Sequence, residues 1–398
     1  PTNCDGNCTT SGTTVYVCLH KKPSTGFSKN YSEEFNLENC VIVCATIDED
    51  GEKEYNIHPA PDFIFCGFAQ EVPQNGSPPE VVAMERRKPY AQVIDGISRS
   101  PTFCPEFLRA ALEFRAQKGD LLLTTFPKSG TYWMLYITML ILKKGEPVRG
   151  SEEFTRNMRM LGVVRIDGWK PSLPLRLLAS HLPLRKDVMN QDAKYVYVAR
   201  NPWDLCVSDF HHVTILGVYR FHGGTFEEFF DAFLEDDCAG QGSYFDHVAS
   251  AYALRDEPNV FFVTYEELKA DTRGVVLRLA RFLADEYGDS LEQHEELLQE
   301  IINRSAADNM KRILAPVNLE DVDPEWRDAT ERIMAATSGP LTENDKEYSH
   351  VRNASVGGWR PYFSRDQLRR LEARIEKLEQ HSCVMDLWKD IREAAQRL

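Results

Sequence analysis

No stretch of this chain stays apolar for the roughly 20 residues that a membrane-crossing helix needs. Its longest apolar run, Tyr132 to Leu142, stops at Lys143-Lys144, so no transmembrane helix is expected. Positive charge is also short: 46 Lys and Arg stand against 61 Asp and Glu, a formal charge of −15. Such a surface repels phosphate backbones, which argues against nucleic acid as the main partner. Any anion site must then be a local island of Lys and Arg. Walker A spacing, G-x-x-x-x-G-K-[ST], occurs nowhere. C-x2-C pairs are absent too, and beyond residue 66 only Cys104, Cys206, Cys238 and Cys383 remain. Those four read as isolated reduced thiols of an intracellular protein, which predicts a cytoplasmic location. No internal repeat is visible.

Cysteine is instead concentrated at the start, where Cys4, Cys8, Cys18, Cys40, Cys44 and Cys66 fall within 66 residues. Cys4/Cys8 and Cys40/Cys44 form C-x3-C pairs that would suit a zinc ion, with disulfides or free thiols as the alternative. Short β-like runs are expected at Thr13–Leu19, Cys40–Ile47 and Asp62–Phe68, and "EVPQNGSPPE" (71–80) reads as a linker. The texture changes at Met84, a candidate initiator. The expected division is therefore a cysteine-rich extension, residues 1–84, and a main domain, residues 85–398. N-x-S/T triplets at Asn7, Asn30, Asn75, Asn303 and Asn353 are read as unused, since so short a pattern recurs by chance.

In the main domain, short apolar runs alternate with amphipathic stretches. Strands are predicted at Leu121–Phe126, Tyr195–Ala199 and Val260–Thr264. Helices are predicted at Pro105–Ala116, Thr131–Lys143, Trp203–His212, Ser243–Leu254, Gly274–Ala284, Leu291–Asn303 and Arg365–Gln380. Fully apolar strands alternating with helices indicate a parallel sheet covered on both faces, a doubly wound α/β domain. Leu314–Glu347, acidic and without period, reads as a surface insertion.

Polar clusters then stand out. "TTFPKSGTYW" (124–133) turns from strand to helix through Pro127, Lys128, Ser129 and Gly130. Open N–H groups from Ser129 to Tyr132 at a helix N-terminus, with a lysine beside them, suit a phosphate-like anion. An ordinary turn with a solvated lysine is the plainer reading. "YVYVARNPWDLCVSDFHH" (195–212) ends a strand at Arg200 and places Ser208 on the following helix, a pair able to grip one phosphate. "HVRNASVGGWRPYF" (350–363) contributes Arg352 on a Gly-rich loop. His181, in "RLLASHLPLR", is a candidate general base or a structural histidine.

Together "TTFPKSGTYW", "SHLP", "YVARNPWDLCVSDFHH", "VTYEELKAD" and "GGWRPYF" resemble the cytosolic sulfotransferases in order and approximate spacing. The resemblance runs from about Arg86 to Val384. It implies a three-layer α/β fold, a central parallel sheet with helices on both faces, of the P-loop NTPase-like sulfotransferase type, plus the N-terminal extension. It also implies sulfuryl transfer from 3′-phosphoadenosine 5′-phosphosulfate (PAPS), without a metal, to a hydroxyl or amine of a small acceptor such as a phenol, alcohol, steroid or amine. By the same resemblance Lys128, Ser129, Gly130, Thr131 and Tyr132 surround the 5′-phosphosulfate, and Trp133 packs on the adenine. Arg200, Ser208 and Arg352 hold the 3′-phosphate, Tyr265 and Ser305 line the adenine pocket, and His181 is the base. Plausible acceptor-lining residues are Phe154, Trp169, Phe210, His211 and Tyr219, and the acidic insertion Leu314–Glu347 could form part of the lid, which would disfavour anionic acceptors.

The chain departs from the family pattern in several places. Ala179-Ser180-His181 replaces a common Lys-Thr-His, Tyr132 a second threonine, Asn353-Ala354 a Lys-Gly pair, and Gly358 an Asp. The family's C-terminal dimer motif is not recognisable, which suggests a monomer or weak dimer. The alternatives are a non-catalytic binder of PAPS or its desulfated product PAP, and a nucleotide kinase of related fold.

Overall fold

Leu121, Leu122 and Leu123 show how the main domain is built, because alternate side chains of one strand enter different cores. In a computed structural model, Leu121 and Leu123 join the core around helix Thr131–Leu142, while Leu122 packs against the opposite one. The structure describes residues 87–314, 322–336 and 350–398, together with the strands 15–20, 40–47 and 53–59. The chain separates into two compact units, Pro1–Met84 and Glu85–Leu398.

In the first unit, β1 (Val15–His20), β2 (Cys40–Ile47) and β3 (Lys53–Pro59) form an antiparallel sheet in the order β1-β2-β3. The last strand, "KEYNIHP", has no apolar run to reveal it in sequence. The run expected at Asp62–Phe68, the linker at 71–80, and Cys4 and Cys8 lie outside the described residues.

The second unit opens with a hairpin, β4 (Gln92–Ile94) and β5 (Ile97–Arg99), turning at Asp95-Gly96 with both residues at positive φ. Its main sheet contains β6 (Asp120–Thr124), β7 (Met158–Met160), β8 (Arg176–Ser180), β9 (Lys194–Ala199) and β10 (Val260–Thr264). They run in the order β10-β9-β6-β8-β7, every pairing parallel. Helices Thr131–Leu142, Thr272–Leu283 and Glu295–Arg304 contribute to one core. Helices Pro202–Ile215, Phe226–Leu234, Tyr244–Tyr252 and Arg365–Glu379 contribute to the other. The result is the three-layer α/β arrangement.

Two expectations are corrected. The single helix read at Leu291–Asn303 is two, Asp285–Gln293 and Glu295–Arg304, because His294 between them leaves helical geometry (φ −123°, ψ 80°). The acidic stretch read as aperiodic contains the helix Pro324–Ala335. Asp323 caps it by accepting the N–H of Glu325, and proline occupies its first turn, where it lacks only a bond the helix could not make. Among the described residues, no helix is long and apolar enough to cross a membrane.

Candidate active site

Four strands deliver the site. Pro127 to Gly130 follow β6, His181 follows β8, Arg200 follows β9 and Tyr265 follows β10, all at the carboxyl ends of the strands. β6 is central: the chain crosses to β8 on one side of it and to β9 on the other, and a crevice opens where the order reverses.

The turn after β6 is strained in a particular way. Lys128 has φ +66° and Gly130 φ +107°, both left-handed. For lysine this is an uncommon conformation that the surroundings must hold. At Gly130 a side chain would also be crowded, since a Cβ there would lie 3.0 Å from Cδ2 of Tyr265. Helix Thr131–Leu142 begins at Gly130, and its first intrahelical bond runs from Met134 N–H to the Gly130 carbonyl (3.1 Å). Its first-turn amides have no carbonyl one turn back and remain available to an anion. Ser129 is a correction here: its N–H closes the turn onto the Phe126 carbonyl (3.3 Å). Its hydroxyl is buried and has no hydrogen-bond partner among the described residues. Ten of the twelve residues of this helix are buried, and the two left partly open, Tyr132 and Trp133, line the crevice.

Arg200 joins this turn to the next strand. Its Nη1 donates to the Lys128 carbonyl (2.8 Å), and its guanidinium lies 4.4 Å from the ring centre of Tyr265. The buried Arg200 Nε and Trp133 Nε1 lack partners among the described residues. Orphaned buried donors are costly unless a ligand satisfies them. Trp133 meets Tyr265 edge-on at 5.6 Å. Arg352 rides on a loop that Asp204 secures: one carboxylate oxygen accepts the N–H of Gly357 (2.7 Å) and the other that of Trp359 (3.1 Å).

The state of His181 follows from its partner. Its Nδ1 lies 2.9 Å from the Thr125 carbonyl oxygen, which can only accept, so Nδ1 carries the proton and Nε2 the lone pair. Burial, with Lys128 nearby, pulls its pKa down to about 4, against the opposing effect of the Thr125 bond. Burial likewise pulls Lys128 down to about 8; Asp209 opposes that, while Arg200 and Arg352 add to it. Near neutral pH the crevice therefore holds a neutral imidazole beside an ammonium.

All these groups face one cavity of about 710 Å³, lined by Lys128, Gly130, Thr131, Tyr132, Trp133, His181, Arg200, Ser208, Tyr265, Ser305 and Arg352. Of the donor-site residues expected from sequence, only Ser129 is not in its lining. The acceptor expectations divide. Phe154 and Tyr219 line the cavity. Trp169 instead receives the Arg159 guanidinium on its face (4.8 Å) and donates to the Arg156 carbonyl, and Phe210 packs among Phe226 and Phe229. His211 Nε2 meets the Tyr362 hydroxyl at 2.7 Å, so the neighbouring His212 is the one that lines the cavity. The sequence reading chose His211 from the "HH" pair and missed His212, and also missed Lys269, Trp326 and Ile333. No cluster of His, Cys, Asp or Glu able to hold a metal occurs among the described residues.

The model of the sulfotransferase domain matches residues 118–383. The chain belongs to the sulfotransferase family. It is 34% identical to mouse sulfotransferase 2B1 over 215 residues, 52% of this chain and 61% of that protein. To mouse sulfotransferase 1B1 it is 29% identical over 293 residues, 71% of this chain and 89% of the relative. The solved mouse sulfotransferase SULT7A1, complexed with PAP, superposes with a TM-score of 0.53 at 23% identity, over 76% of this chain and 99% of that one. That likeness shows the sulfotransferase fold.

Proposed function

We propose that the cavity binds PAPS and that the chain transfers its sulfuryl group to a hydroxyl or amine of a small acceptor. Family membership supports the reaction class. The observation that carries the reading is the convergence of Lys128, Arg200, Ser208, Arg352 and His181 on one cavity whose lining residues Arg200 and Trp133 also hold the unpaired donors Nε and Nε1. Those donors suit a ligand with oxygens at both ends and an aromatic base.

In this reading Arg200, Ser208 and Arg352 hold the 3′-phosphate, and Trp133, Tyr265 and Ser305 surround the adenine. The turn from Lys128 to Tyr132 grips the 5′ end, with Ser129 contributing its hydroxyl. Bound there, PAPS supplies an activated sulfuryl group whose leaving oxygen belongs to a phosphate. His181 Nε2 takes the proton from the attacking acceptor. The Lys128 ammonium and the helix N-terminus stabilise negative charge on the departing phosphate oxygen. The proposal extends to a monomer or weak dimer working in the cytoplasm.

The test is to supply sulfur-35 PAPS with a panel of phenols, alcohols, steroids and amines, comparing the protein with its His181→Ala variant. Label transferred by the wild type and lost in the variant supports the reading. Equal behaviour of the two across the panel overturns it.

A further inference from the structure

The acidic stretch between the last cavity helices and the Arg352 loop holds a short helix with two distinct jobs. On one face Trp326, Thr330, Ile333 and Met334 line the same cavity as His181 and Lys128. The helix is also pinned at both ends, to β7 and to the turn after it. Asp323, its N-cap, accepts from Arg159 Nη2 at 2.9 Å, with both side chains nearly buried (3% and 11% exposed). Trp326 Nε1 donates to the Met158 carbonyl (3.2 Å), and Arg332 Nη2 to the Val163 carbonyl (2.6 Å). Arg159 is itself fixed: Nη1 donates to the carbonyls of Thr155 (2.9 Å) and Met158 (3.1 Å), and Trp169 stacks beneath the guanidinium. Taking such an arginine out of water is costly, and its carboxylate partner is what offsets that cost.

We infer that Arg159 is the positioning residue that sets the cavity wall Pro324–Ala335, and with it acceptor binding, through Asp323. The inference rests on the cavity being the donor and acceptor site. None of the groups assigned to PAPS lies on this helix or on β7. The wall is therefore expected to act on the acceptor more than on the donor. Its cavity face carries no charge, so it favours a flat apolar acceptor over a charged one, despite the acidic sequence around it.

The probe is 2-naphthol, titrated by calorimetry into PAP-loaded protein, so that no turnover is needed. Arg159→Met strands the Asp323 carboxylate and should weaken 2-naphthol binding about tenfold or more, as expected for breaking a buried pair. PAP affinity should stay within about twofold, since distant sites with no shared partners behave independently. Amide exchange should speed up across residues 324–335 and not across 131–142. Arg159→Lys, which keeps the charge but loses the planar fork, should restore only part of the affinity. If Arg159→Met does not fold, Asp323→Ala at the more exposed end of the pair decides the matter by the same two titrations. Unchanged 2-naphthol binding overturns the inference, as does a parallel loss of PAP and 2-naphthol, or wild-type protein that takes PAP but not 2-naphthol. Wild-type protein that takes no PAP overturns instead the donor reading beneath it.

Discussion

The Thr125 carbonyl holds His181 Nδ1 at 2.9 Å and thereby dedicates Nε2 to the cavity. Behind it, His247 Nε2 lies 3.3 Å from the His181 carbonyl and its Nδ1 lies 2.8 Å from the Tyr197 hydroxyl. A carbonyl only accepts, so His247 donates through Nε2, and burial, which pulls its pKa down to about 3, keeps it neutral. Replacing His181 by Ala should lower kcat about 10²- to 10⁴-fold, the ordinary contribution of a general base. PAP affinity, measured by calorimetry, should not change, because none of the groups that grip the nucleotide is lost.

The rate should depend on pH in a bell. His181 acts as a base only when neutral, so kcat/KM rises as pH climbs through about 4. Lys128 acts only when charged, so the alkaline limb falls near 8 in the free protein. A bound polyanion favours the ammonium, so the alkaline limb of kcat should lie above that of kcat/KM. Initial rates from pH 4 to 10 at low and saturating donor check this.

Folding stability should fall on the acid side for a related reason. Burial lowers His181 to about 4 and His247 to about 3, both below the ordinary histidine value near 6.5. The unfolded chain then binds more protons between those values, and stability declines as pH drops from about 6.5 toward 4. Urea midpoints across that interval should show the decline, with a shallower slope in His247→Gln.

Arg200→Lys keeps the charge but loses the planar fork that reaches the Lys128 carbonyl. Affinity for PAP should fall by roughly one to two orders of magnitude, the range for a lost charge-assisted hydrogen bond. Binding of 5′-AMP, which lacks the 3′-phosphate, should fall much less. Parallel titrations with the two nucleotides test the assignment.

Ala354 has φ +50°, a region that favours glycine, at the position where the family resemblance leads one to expect Gly. Left-handed geometry costs a residue with a Cβ about 1–2 kcal/mol, whereas glycine loses about 0.5–1 kcal/mol in chain entropy. The first effect is larger, so Ala354→Gly should raise Tm slightly and leave PAP binding intact or tighter. Differential scanning calorimetry with and without PAP measures both.

Most of the cavity lining proposed for the donor could be read from sequence because it is local. Lys128, His181, Arg200 and Tyr265 each stand within a few residues of an apolar strand, and a parallel sheet gathers strand ends by itself. What could not be read depends on distant packing. The insertion around Trp326 and Ile333 could be expected over the acceptor, but no period shows which of its residues line the cavity; Arg159, more than 160 positions earlier, pairs with the cap of the helix that carries them. The choice between His211 and His212 depends on helix phase and on the remote Tyr362. Polar β3 and the break at His294 escaped because hydrophobic period alone marks neither.

Arg200 has a further consequence. Its guanidinium is already aimed, held by a backbone oxygen and an aromatic face before any nucleotide arrives, so little ordering is required on capture. On the proposed assignment, neither that grip nor the surroundings of the adenine would change when the sulfur departs from the far end. Spent nucleotide should then be held nearly as firmly as fresh, and its desorption is expected to limit each cycle.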